Sequence, residues 1–188
     1  MRFTIALAMA LAITAAACGD SATGPTGASR LTVMLKDTPF ADAKSLLVTF
    51  SEVSAHKAEG EWMTVPFSGE ASSRTCDLKK LTSAQDVLGT GPLTPGRYTM
   101  VRLTVSSAAL YFENAAAGPA CAPTVAAPAG RTAALEIPSG MVRLNRTFEL
   151  TESGGTTMLL DFDGDRSVRE TGNGRYMMTP VITVVSVQ

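Results

Sequence analysis

Histidine, tryptophan and cysteine are nearly missing from this chain: one His, one Trp and three Cys in 188 residues. General acid–base chemistry draws most often on histidine, and His56 has no evident catalytic partner in its neighbourhood. A Gly-x-Ser-x-Gly elbow is absent too, which removes the signature of one large hydrolase class. Lys and Arg never gather beyond the pair Lys79-Lys80, and the net charge is −1. That excludes the basic face expected of a nucleic-acid binder. No apolar run reaches the about 20 residues a helix needs to cross hydrocarbon. No repeat with a period of about 20 to 50 residues is visible, so solenoids and propellers are set aside.

What is present begins at the N-terminus. Arg2 is the single charge before Cys18, and Ile5 to Ala17 is an unbroken run of apolar and small residues. A positive start, a short apolar core and small residues before a break form an export signal. Cys18 stands at the break, and Ala16-Ala17-Cys18 resembles the lipobox of bacterial lipoproteins. The resemblance implies cleavage before Cys18 and acylation of its thiol. An ordinary secretory signal cut near Ala17 is the alternative. Gly19, in place of Asp, implies by the same resemblance an outer-membrane destination in the bacterial cell envelope.

With Cys18 lipidated, Cys76 and Cys121 remain as an even pair in an oxidising compartment. A bridge between them closes a loop of roughly 45 residues, worth on the order of 4 kcal/mol in the chain-entropy model. Two free buried thiols are the other reading, disfavoured because Cys121 lies in an Ala/Pro/Gly stretch. Two cysteines and one His do not make a zinc site. No cofactor or metal is expected.

Residues 1–17 read as the signal peptide, 18–29 as the lipidated cysteine with a flexible tether, and 30–188 as one folded domain. The tether is small, polar and glycine-rich, with a root-mean-square reach of about 18 Å. Beyond it, 45% apolar and 18% charged residues suit a globular core. Leu31 to Leu35 alternates like a strand and stops at a turn cluster, Lys36 to Pro39. Lys44 to Lys57 is a long strand. Val48 and Phe50 share one parity and Val53 and Ala55 the other, which predicts a bulge near Ser51-Glu52. Glu61 to Pro66 is a short strand. Ser83 to Leu88, with Ser83 and Asp86 as a capping box, predicts the one helical turn.

Pro95-Gly96 suits a tight turn that needs positive φ, leading into a strand with Val101, Leu103 and Val105 on one face. Ala115 to Gly130 is a low-complexity loop. Strands follow at Ala133 to Ile137, at Val142 to Leu150, at Thr156 to Asp163 and, from Pro180, to Val187. In the second of these Arg143, Asn145, Thr147 and Glu149 oppose the apolar parity. Many short strands and almost no helix predict an all-β fold, an antiparallel β-sandwich.

Leu31 to Pro39, Leu47 to Val53, Pro95-Gly96-Arg97-Tyr98 with Val101 to Leu103, Leu160 to Asp163 with Ser167-Val168, and Pro180 to Ile182 occur in an order that resembles the bacterial lipoprotein domain of unknown function DUF4382. The turn Pro95-Gly96-Arg97-Tyr98 is also similar to that of transthyretin-like and carboxypeptidase-regulatory-like sandwiches. The resemblance implies an envelope location and an Ig- or transthyretin-like sandwich. It implies no activity, so no catalytic residue is carried over.

Three constellations remain. Asp161, Asp163 and Asp165 put carboxylates about 6.7 Å apart on one strand face. A calcium loop uses such oxygens, but Gly164 falls too early and no bidentate Glu closes the loop. A strand end whose acids pair with Arg166, Arg169 or Arg143 is the preferred reading. Ser54-Ala55-His56-Lys57 has Ser-x-x-Lys spacing, without its companion motifs. Trp62, Tyr98, Tyr111, Phe112 and Tyr176 are candidates for an aromatic patch facing a glycan or protein, or for core positions with polar tips outward. The sequence therefore predicts a non-catalytic, membrane-anchored envelope module that binds a glycan or an envelope protein and no nucleic acid. A ligand-free structural lipoprotein and a carboxylate-dependent hydrolase are the alternatives.

Overall fold

The computed structural model describes residues 28–69 and 71–188. Cys18, the signal segment and most of the tether lie outside the described residues. The described chain is an all-β sandwich of thirteen strands. They are β1 (Ser29–Thr38), β2 (Ser45–Lys57), β3 (Trp62–Thr64), β4 (Arg74–Asp77), β5 (Asp86–Leu93), β6 (Gly96–Tyr111), β7 (Cys121–Ala122), β8 (Thr132–Glu136), β9 (Met141–Leu150), β10 (Gly155–Asp163), β11 (Val168–Gly172), β12 (Arg175–Met178) and β13 (Ile182–Val187). A 3-10 turn, Leu78–Leu81, follows β4, and one helical turn, α1 (Gly164–Ser167), follows β10.

One sheet runs β13-β10-β1-β5. The other runs β11-β12-β8-β6-β2-β4-β7, with β3 also on β2 and β9 also on β6. Each sheet needs an apolar face, and the alternation supplies it. Leu31, Val33 and Leu35 of β1 with Met158, Leu160 and Phe162 of β10 face Phe50, Val53, Val101 and Leu103 of the second sheet, all buried. Phe50 and Phe162 meet edge-on across the gap, ring centroids 6.4 Å apart, the arrangement that aromatic quadrupoles favour.

The predicted break in β2 is present: its register with β6 shifts between Thr49 and Phe50 and again between Phe50 and Glu52. Gly96 opens β6 with φ 131°, a conformation costly for any residue with a Cβ. The Tyr98 hydroxyl then donates to the Thr94 carbonyl at 2.8 Å and locks that turn from inside the core.

Four expectations are corrected. Ser83 to Leu88 is no helical turn: its second half belongs to β5, which pairs with β1 from Ser29↔Leu93 to Leu35↔Asp86. Six residues cannot offset the cost of nucleating a helix, whereas unpaired β1 backbone needs a partner. Lys36 to Pro39 is not a turn cluster either, because β1 continues to Thr38 against Asp163. The sheets are mixed rather than antiparallel: β1 runs parallel to β10, and β12 to β8. The tether ends earlier than expected, since Ser29 is buried in β1 and its hydroxyl donates to the Gly154 carbonyl. After α1 the chain forms the hairpin β11–β12, turning at Asn173.

Candidate functional site

The outward side of β3, β2, β6 and β9 in the second sheet is largely polar. Pairing fixes which residues stand side by side there. Ser54 pairs with Thr64 on one side and Arg102 on the other, and Arg102 with Arg143. One rung along, Trp62, His56, Met100 and Asn145 form a second row. Glu52, Thr104 and Met141 form a third. Directly paired residues point to the same face, and the intervening Val53, Ala55, Val101 and Leu103 are fully buried on the other.

Arg102 organises the face. Its Nη2 donates to Glu52 Oε1, its Nε donates to Ser54 Oγ at 3.1 Å, and its guanidinium lies 4.4 Å from the centre of the Trp62 ring. Burial pushes the Glu52 carboxyl upward, but hydrogen bonds from Arg102, Ser54 and Thr104 outweigh it and hold the group below its usual range. His56 stands 5.1 Å from Trp62, ring centre to ring centre, with Nδ1 3.1 Å from Thr99 Oγ1. Arg143 is exposed and makes no ion pair among the described residues.

The other predicted residues fall elsewhere. Cys76 and Cys121 are disulfide-bonded, directly opposite each other in β4 and β7 with Cα atoms 4.1 Å apart. The five aromatics do not gather. Tyr98 is buried and stacks on Phe148 at 5.3 Å. Tyr111 packs with Leu47, Ala116 and Val125. Phe112 and Tyr176 meet at 5.6 Å, and the Arg131 guanidinium lies over the Phe112 ring. Of the five, Trp62 alone stands on these three rungs. Ser54 bonds to Arg102, which leaves the Ser-x-x-Lys spacing without chemistry.

Of the three aspartates, Asp161 pairs with Lys36 at 3.0 Å. Asp163 caps α1 by accepting from Arg166 N at 2.9 Å, and Asp165 is exposed. Arg166 alone of the expected arginines is involved, its Nε 4.0 Å from Asp163. Among the described residues no three His, Cys, Asp or Glu side chains are grouped to hold a metal ion. An open depression of about 430 Å³ beside Lys36 and Thr82–Gln85, and one of about 330 Å³ over Thr49, Thr75 and Tyr111, have no carboxylate in their linings.

Asp37 is the titratable group that the sequence hid. It follows Leu31, Val33 and Leu35 in inward parity and is buried. Its Oδ1 accepts from Gly164 N at 3.2 Å, while Oδ2 has no partner. Burial, with Asp161 and Asp163 nearby, raises its pKa to about 7 against the opposing Gly164 bond and Lys79 charge. A carboxyl that holds its proton more tightly when folded stabilises the fold below its unfolded pKa of 3.8, and that contribution is lost as pH rises through about 7. Wild-type stability is therefore expected to fall by roughly 3–4 kcal/mol between pH 4 and pH 8 through this group alone. Asp37→Asn should flatten that part of the profile in urea titrations; identical slopes for both proteins would refute the assignment.

Comparison with known proteins finds a family model, described as Domain of unknown function (DUF4382), matching residues 28–180. No curated protein matches, and no solved structure does.

Proposed function

The chain belongs to the DUF4382 family, and on that premise we propose that it is a lipid-anchored protein of the bacterial outer membrane whose outward sheet face binds an envelope component without catalysis. The observation that carries the reading is the Trp62–Arg102–Arg143 face. A half-buried tryptophan and two guanidiniums stand on adjacent rungs of four paired strands. Sheet scaffolds hold such side chains rigidly, which lowers the ordering cost of binding. Tryptophan and arginine are also the residues that most often dominate binding surfaces.

The non-catalytic part is supported by the acids. Asp37 faces the sandwich interior and the neighbouring Lys36–Asp161 pair the opposite side, so they do not flank one cleft. Anchoring rests on the Ile5–Ala17 run and Cys18. Mass spectrometry of the mature N-terminus should find a lipid mass on Cys18, and soluble protein starting at another residue would contradict it. Binding is read by sedimentation. A soluble chain beginning at Gly19, which keeps every described residue, should pellet with delipidated envelope fragments. Failure to pellet would remove the binding reading.

A further inference from the structure

We infer that the ligand of this face is a polysaccharide bearing carboxylate groups. The inference rests on the outward face being the binding surface and deepens that reading by naming the ligand's chemistry. Arg102 and Arg143 are directly opposite each other across β6 and β9. Like charges so placed repel. Glu52 compensates Arg102, and among the described residues no carboxylate lies within ion-pair distance of Arg143. These rungs thus present one surplus guanidinium, whose planar fork matches a carboxylate with two parallel hydrogen bonds.

The rest of the face suits a sugar chain. Trp62 offers an apolar plate with a polar edge. Exposed Thr64 and Asn145 carry a hydroxyl and an amide beside the arginines. The surface is the flat side of a sheet, long enough for several residues of an extended polymer. A lipid surface is the poorer match, because Met141 and Val185 are the large apolar side chains exposed among the described residues, too few to insert into a bilayer.

Trp62 is the only tryptophan in the chain, so its fluorescence reads this face alone. The soluble chain beginning at Gly19 is titrated with an oligogalacturonate and with the same oligomer methyl-esterified, which keeps the sugar and removes the charge. Saturable change in Trp62 emission is expected with the acid, and binding on the order of tenfold weaker with the ester. Arg143→Ala should weaken acid binding on the order of tenfold and leave ester binding unchanged, while Arg175→Ala, an exposed arginine on the β11–β12 hairpin, should alter neither. Salt should weaken only the acid.

Equal binding of acid and ester would overturn the carboxylate and leave the face as a binding surface. Equal loss in Arg143→Ala and Arg175→Ala would overturn the placement. An Arg143-dependent response to anionic phospholipid vesicles in place of the saccharide would overturn the polysaccharide. Silence toward both oligomers while envelope fragments still pellet the chain would overturn the ligand class alone. Loss of pelleting itself would remove the reading on which the inference rests.

Discussion

Asp77→Ala is expected to lower the stability of the fold by on the order of 3 kcal/mol, a large fraction of the total for a domain of this size. Asp77 is fully buried. Its carboxylate accepts from Ser45 Oγ at 2.7 Å, from Leu46 N at 3.2 Å and from Lys79 N at 3.3 Å. Ser45 Oγ in turn accepts from Ala116 N at 2.7 Å. One side chain thus ties the start of β2, the end of β4, the 3-10 turn and the loop after β6. Alanine leaves two buried donors, the Ser45 hydroxyl and the Leu46 N–H, without this partner, each costing about 1–3 kcal/mol. Urea unfolding should show a lower midpoint with an unchanged slope. Asp165→Ala, at an exposed aspartate, should stay within about 0.5 kcal/mol. An Asp77→Ala loss below about 1 kcal/mol would mean that the network does not hold these elements together.

Removing the disulfide has a comparable expected effect by a different route. Cys76 and Cys121 are 45 residues apart in sequence, and the bond restricts the unfolded chain by on the order of 4 kcal/mol. It also fixes β7, which is only two residues long. The Cys76→Ala/Cys121→Ala pair should lose about 3–4 kcal/mol. In hydrogen exchange the stretch around β7 should lose protection before the β2–β6 ladder does. A double variant within about 1 kcal/mol of wild type, or uniform loss of protection, would contradict the bond's role as the clamp on this loop.

Local alternation was readable because burial follows strand parity. β9 and β10 show this: Leu144, Phe148, Met158, Leu160 and Phe162 are buried as their parity predicts. The β2 bulge was readable for the same reason, since a change of parity within one strand needs an extra residue. Pairing between distant strands was not readable. Parallel contact of β1 with β10 joins residues about as far apart as Arg30 and Gly155, and no local signal encodes it. It extends β1 through Lys36 to Thr38, polar residues that otherwise read as a turn. Asp37 then becomes an interior carboxyl near the start of α1.

The Ser83–Asp86 capping signal lost to tertiary pairing in a similar way. Gly91 permits the strand instead: a Cβ there would lie 2.4 Å from Pro66 Cδ, so the missing side chain lets the segment after β3 cover the outer edge of β5. The outward face was half legible. Arg143 and Asn145 showed their parity, but their neighbours Arg102 and His56 come from strands that only the fold brings alongside.

Co-sedimentation of face variants with envelope fragments tests most directly whether this surface is what the protein uses. The soluble chain beginning at Gly19 should pellet with delipidated fragments, and Trp62→Ala combined with Arg143→Ala should leave it in the supernatant with its melting temperature within a few degrees of wild type. Arg175→Ala should pellet as wild type does. A double variant that is folded and still pellets fully would contradict the account and move the binding surface elsewhere on the sandwich.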